Sequence, residues 1–252
     1  MLKTGLTSVT FRQLEIDDVL ALAAQAGLDV IEWGGDVHAP PGALALAAAV
    51  RQKTEAAGLS VSSYGSYYRL LAHENPAAAF APVLGSACAL GAKTIRIWAG
   101  SQDFEQTDAA AFDRAAQEAR ALGGLAQAQG VQLAFEFHGG TITNAAESTL
   151  AFLQAVDHPN VKTYWQPNFV RSHAENKRAL RAVLPWVVNI HVFQWAADHT
   201  AFPLADGEAV WREYLDILAA ATGEPCAILE FVKDAAPAQF LRDAATLQKW
   251  LR

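Results

Sequence analysis

Cysteine is nearly absent: Cys88 and Cys226, far apart and in apolar surroundings, are the only two. That argues against a disulfide framework or a thiolate metal site, and two buried thiols fit a reducing cytoplasm, the expected location. Long apolar runs are missing too. The Ala-rich stretches are broken by Asp, Arg, Gln or Gly, and none reaches the ~18 residues that a membrane helix needs. The opening Met1-Leu2-Lys3-Thr4-Gly5 has no apolar run behind its charge, so no secretory leader is expected. There is no block of Lys or Arg, and 26 acids outnumber 19 bases for a formal charge of −7. Such a chain lacks the cationic face that grips a phosphate backbone, which argues against nucleic acid as a partner. No G-x-G-x-x-G or P-loop spacing occurs, which removes the usual dinucleotide and nucleotide cradles.

What is present is a repeat. An Ala-rich helical stretch ends at a Gly and a short β-type run follows. Gly27 precedes Val30-Ile31-Glu32-Trp33, Gly58 precedes Ser60-Val61-Ser62-Ser63-Tyr64, Gly91 precedes Thr94-Ile95-Arg96-Ile97-Trp98, and Gly130 precedes Leu133-Ala134-Phe135-Glu136-Phe137. Gly suits a helix end because it enters the left-handed region without a Cβ clash. The spacing, roughly 25 to 40 residues, fits one strand, one helix and two short loops. It predicts strands near 4–9, 29–33, 59–64, 93–98, 131–137, 161–166, 187–193 and 226–231. Helices are predicted near 16–26, 42–57, 76–90, 109–129, 145–155, 174–182, 209–221 and 237–251. Asn75-Pro76, Thr107-Asp108 and Asn144 are helix-start signals. The length of 252 residues, 52% of them hydrophobic, suits one α/β fold with a large core, a closed (β/α)8 barrel over residues 1–252.

A barrel strand is buried on both faces, so a polar residue near its C-terminal end is informative: barrel enzymes build their sites at that mouth. In Leu133-Ala134-Phe135-Glu136-Phe137-His138 the two-residue period puts Glu136 and His138 on the inner face and the Phe residues on the helix-facing side. Glu230 in Ala227-Ile228-Leu229-Glu230-Phe231, His191 in Asn189-Ile190-His191-Val192, and Gln166 in Tyr164-Trp165-Gln166-Pro167-Asn168 occupy equivalent places on the next three strands. Two carboxylates in one partly buried cup need a cation. A divalent ion held by Glu136, Gln166, His191 and Glu230 meets that need, and the mixed O/N donors suit Mn²⁺, Mg²⁺, Co²⁺ or Zn²⁺. Arg96 and Lys233 offer an alternative, pairing with a carboxylate without any metal.

The phrases Val30-Ile31-Glu32-Trp33, Ala134-Phe135-Glu136-Phe137-His138, Asn189-Ile190-His191 and Ile228-Leu229-Glu230-Phe231 resemble the xylose isomerase-like TIM barrels, the sugar phosphate isomerase/epimerase superfamily. Asp206-Gly207-Glu208-Ala209-Val210-Trp211 resembles a segment before the seventh helix of many members. The resemblance implies a small carbohydrate substrate and a metal on Glu136, Gln166, His191 and Glu230. Gln166 stands where ketose 3-epimerases carry an acid, which implies weaker metal binding or a metal-free, degenerate sugar-binding barrel. The implied chemistry is proton transfer beside a carbonyl through an enediolate, with Glu136 and Glu230 as the catalytic pair. His138, Arg96, Glu32, His38, Asn168 and Lys233 are candidate substrate contacts. Each also has a plain structural reading: a backbone-bonded His138, an Arg96–Glu32 pair, a solvated His38. Trp33, Trp98, Trp165 and Trp195 fall at strand ends, where they either stack on a sugar or pack the barrel. Residues 195–208 form a long loop, a candidate lid. A dehydratase of an inositol-type ketone shares these first steps. A phosphodiesterase like endonuclease IV would need more His and acidic ligands and a basic groove. Homo-oligomers are common among barrels, and no interface signature is visible here.

Overall fold

The computed structural model describes residues 2–221 and 223–252. Its strands are β1 (Lys3–Thr7), β2 (Val30–Gly34), β3 (Ser60–Arg69), β4 (Thr94–Trp98), β5 (Gln132–Phe135), β6 (Val161–Trp165), β7 (Val187–Val192) and β8 (Cys226–Leu229). They alternate with α1 (Ile16–Gln25), α2 (Leu44–Ala56), α3 (Pro76–Leu90), α4 (Ala109–Ala128), α5 (Ala146–Val156), α6 (His173–Val183), α7 (Glu208–Leu218) and α8 (Pro237–Trp250). All strand pairs are parallel, and β8 returns to β1 with Thr4 opposite Ala227, closing a (β/α)8 barrel. No helix among the described residues is long and apolar enough to cross a membrane.

The local signals act as expected. Gly91 ends α3 at φ +68°, ψ +24°, and Gly27, Gly58 and Gly130 also take positive φ. The Asn75 side chain accepts from the Ala78 amide at 3.2 Å ahead of Pro76, and Asp108 accepts from Ala111 at 2.7 Å. Asn144 differs from expectation: α5 is capped one residue later, at Ala145, and the Asn144 side chain instead accepts from Ser148 Oγ.

Alternation along each strand sorts the side chains. Facing the helices, Trp33 donates its indole N–H to Thr54 of α2, Phe135 packs edge-on against Phe152 of α5, and Trp165 against Tyr214 of α7. These contacts settle Trp33 and Trp165 as core. Facing the lumen are Thr7, Glu32, Ser63, Arg96, Tyr164 and His191, joined to one another by hydrogen bonds and ion pairs.

Two strand ends differ from the sequence pattern in ways that shape the mouth. β5 and β8 stop at Phe135 and Leu229, so Glu136 and Glu230 lie one residue past the regular strands. Each is still tied to its neighbour, Glu136 N to Ile97 O and Glu230 N to Val192 O, both at 3.0 Å. β3 runs on to Arg69, where a register shift after Gly65 lets Arg69 pair with Trp98.

Candidate active site

The centre of the mouth holds three buried carboxylates, Glu32, Glu136 and Glu230, with buried Arg96 and His191. Arg96 lies between two of the acids. Its Nη1 donates to Glu136 Oε2, and its Nε is 3.5 Å from Glu32 Oε1. Trp98 Nε1 also donates to Glu136 Oε2, at 2.7 Å. Glu136 Oε1 is left facing His191, 3.9 Å from Nδ1. Glu230 has no Arg or Lys partner among the described residues; its Oε2 is 3.3 Å from His191 Nδ1.

Glu32 lies beneath this group and is fully enclosed by donors. Thr7, Ser63 and Tyr164 donate at 3.1, 2.9 and 2.8 Å, and His191 Nε2 is 3.3 Å away. β2 and β6 stand on opposite walls, so the Tyr164–Glu32 bond crosses the lumen. Asn189 in turn donates to Tyr164 Oη at 2.8 Å. Glu32 therefore has no surface to offer a substrate, and it contacts both His191 and Arg96.

The environment moves each titration in a definite direction. Burial alone would raise the Glu32 and Glu136 pKa values, but the Arg96 and His191 charges outweigh it and hold both below the usual range. For Glu230 burial prevails over His191, aided by the Glu136 charge, and its pKa is raised. Burial would lower the pKa of His191, yet Glu230 and Glu32 push it up to about 9.

His191 thus binds its proton more firmly folded, at about 9, than unfolded, near 6.5. Its contribution to stability is whole below the unfolded value and fades as pH rises through the folded one. Chelator-treated protein is expected to show a falling thermal midpoint between pH 6.5 and 9. A midpoint that stays flat or rises across that window would remove His191 as a buried cation.

Glu136, His191 and Glu230 each offer a donor atom within 4.8 Å of the others. Gln166 joins them, its Oε1 3.0 Å from His191 Nδ1. Two donors at right angles on one ion, each ~2.1 Å from it, stand about 3 Å apart, so this spacing suits a shared cation. His191 presents Nδ1 to the group while Nε2 contacts Glu32, the carboxylate–imidazole arrangement common to metal-binding histidines. Charge agrees: three carboxylates against one guanidinium leave two negative charges when His191 is neutral. The donor set fits a divalent ion.

Beside the cluster is a cavity of about 350 Å³ lined by His138, Gln166, Asn168, Phe169, Phe193 and Trp195, among others. His138 stacks on Trp98, with centroids 5.1 Å apart, and its Nδ1 contacts the Gly139 carbonyl, leaving Nε2. Asn168 uses Oδ1 to accept from Val170 N. The segment after β7 folds back on itself through a Trp195–Ala201 bridge, and it lines the cavity with Trp195, Ala196, Ala197 and His199. Its base is pinned where Leu204 N donates to Asp243 of α8.

Other candidates fall elsewhere. His38 is buried, with Nδ1 at 3.0 Å from Ser8 Oγ and Nε2 at 3.0 Å from Leu14 O, so both nitrogens are engaged by the protein. Lys233 sits in a turn after β8 and does not line the cavity. Cys226 is buried, whereas Cys88 is only partly so. A second hollow, of about 380 Å³, lies at the opposite end among the strand starts, with Lys3, Lys93 and Lys162 but none of the three central carboxylates.

No curated protein matches the chain by sequence. Among solved structures, the probable 3-DHS dehydratase AsbF from Bacillus anthracis is 18% identical with a TM-score of 0.79, covering 98% of this chain and 99% of its own. A D-psicose 3-epimerase, solved in the presence of D-fructose, is 19% identical with a TM-score of 0.74, covering 100% and 98%. A xylose isomerase-like TIM barrel protein from Mycobacterium smegmatis, solved in complex with magnesium, is 17% identical with a TM-score of 0.70, covering 100% and 97%. Residues 20–252 match the family model of the xylose isomerase-like TIM barrel, and the chain belongs to that family.

Proposed function

We propose that the protein is a divalent-metal-dependent isomerase or epimerase of a small sugar or sugar-like hydroxyketone. The observation that carries this reading is the buried charge imbalance: Arg96 answers Glu32 and Glu136, and among the described residues only His191 answers Glu230. Glu136, Gln166, His191 and Glu230 would hold the ion. When bound, it supplies Lewis-acid stabilisation of the oxyanion that develops as a proton leaves the carbon beside a carbonyl.

The protein's own groups divide the remaining work. Arg96 and Trp98 keep Glu136 ionised and fixed through Oε2, which suits it to take the proton with Oε1. Glu230, the other carboxyl group of the cluster, is placed to return a proton drawn from solvent. Return to the opposite face gives epimerisation, and return to the adjacent carbon gives aldose–ketose exchange. His138 Nε2 is a donor for a substrate hydroxyl. The phenyl and indole faces of Phe169, Phe193 and Trp195 exclude water and stack against C–H groups.

Metal analysis of freshly purified protein, with Mn²⁺ or Co²⁺ added back after chelation, tests this. One ion per chain is expected, with His191→Ala lowering its affinity at least about tenfold. Failure of any divalent ion to bind would end this reading. A dehydratase begins with the same proton removal, and the likeness to AsbF makes it the second reading. Product mass separates them, since dehydration removes one water.

A further inference from the structure

Arg69 stands apart from the other cations near the mouth. Arg12 is committed to Asp36 and Tyr67, and Arg96 to Glu32 and Glu136. Arg69 is half-buried and has no carboxylate within ion-pair distance among the described residues. Its guanidinium lies over the Trp98 ring, 3.6 Å from the centroid, and its one hydrogen bond runs from Nη1 to the Gly100 carbonyl at 3.3 Å. A guanidinium has five N–H donors in a planar fork, so most remain unspent.

Its placement links it to the reactive centre. The same Trp98 donates to Glu136 and stacks on His138, which lines the cavity. One indole therefore connects the unpaired cation, the carboxylate and the cavity wall. The β3 extension puts Arg69 there, by pairing it with Trp98 beyond the register shift. Charge points the same way. Glu32, Glu136 and Glu230 are balanced by Arg96 and a divalent ion, so none of the three requires Arg69 as its counter-charge. A neutral sugar gives the Arg69 charge nothing to pair with.

We propose that Arg69 recognises an anionic group, a carboxylate or a phosphate, carried by the hydroxyketone substrate a few atoms from its carbonyl. This rests on the proposed metal-dependent function and narrows its substrate class. Trp98 holds the guanidinium flat by cation–π contact, so little freedom is lost when the anion arrives.

Titration calorimetry of Mn²⁺-loaded protein with three matched probes tests it: dihydroxyacetone (neutral), hydroxypyruvate (carboxylate) and dihydroxyacetone phosphate. At least one charged probe is expected to bind about tenfold or more tightly than the neutral one. Whichever gains more identifies the anion. Arg69→Met should abolish the preference and leave dihydroxyacetone binding within about twofold, while Arg69→Lys should keep part of it. Thermal midpoints of both variants check that they fold. If wild type shows no preference, or Arg69→Met retains it, the proposal is overturned. In that event metal binding and solvent-proton exchange into dihydroxyacetone would leave the broader function standing. Absence of metal binding overturns both.

Discussion

Arg96→Met is expected to destabilise the protein by about 3–5 kcal/mol, because it strands two buried carboxylates that share one cation. For a barrel of this size that amounts to a fall of roughly 10 °C or more in thermal midpoint. Desolvation of Glu32 and Glu136 is now offset by the guanidinium between them. Without it, burial raises both pKa values above the unfolded ones. Carboxylates raised in this way contribute stability below their unfolded pKa and lose it as pH rises through the folded value. The variant should therefore lag wild type far more at pH 8 than at pH 5 (on the order of 2 kcal/mol more), since a tenfold change in proton affinity corresponds to ~1.4 kcal/mol. Lost packing alone would give a deficit independent of pH, so denaturant titrations at the two pH values decide between the causes. A pH-independent deficit would mean that Arg96 acts mainly by filling space.

The same group of residues shows how far a one-dimensional pattern reaches. Alternation along a strand is local, so it already places Glu136, Gln166, His191 and Glu230 on inner faces of four successive strands. Closure of the barrel then brings them together. What alternation leaves out is which inward residues meet across the lumen. Glu32 and Tyr164 are hydrogen-bonded partners 132 residues apart, and nothing local to either names the other. Glu32 thus looks like a substrate contact in sequence and is an enclosed anchor in three dimensions. The polar pair Thr7 and Ser63, inward on β1 and β3, was the available signal that Glu32 would be surrounded by donors. Loop positions were less legible because they have no period. His38 is fixed by Ser8 and Leu14, which only the folded loop brings within reach. Arg69 was hidden differently. Its strand continues through a bulge, and a bulge shifts the parity on which an inward or outward assignment depends.

Glu136→Gln and Glu230→Gln are each expected to reduce solvent-deuterium exchange into a ketose by about 10²–10⁴, the range for loss of a positioned acid or base. Gln keeps the size and one oxygen donor of Glu, so the metal should remain measurable in both variants while the proton carrier is lost. The two should not behave alike. Glu136 accepts from Arg96 and Trp98, and a Gln there turns one acceptor oxygen into a donor group facing or adjoining two donors. Glu136→Gln should therefore also lose stability, by about 1–3 kcal/mol for an unsatisfied buried group. Glu230 faces the His191 imidazole and no Arg or Lys. Removing its charge withdraws the largest influence raising the pKa of His191, so the value should fall below about 9 in the metal-free variant. Mn²⁺ then competes less with a proton on His191, and its affinity should depend less on pH than in wild type. Exchange measured by NMR, Mn²⁺ titrations at pH 6.5 and 8.5, and denaturant titration of Glu136→Gln read these effects. Full exchange in either variant removes that glutamate from the proton transfer. An unchanged pH dependence of Mn²⁺ affinity in Glu230→Gln removes Glu230 as the group that holds the His191 proton.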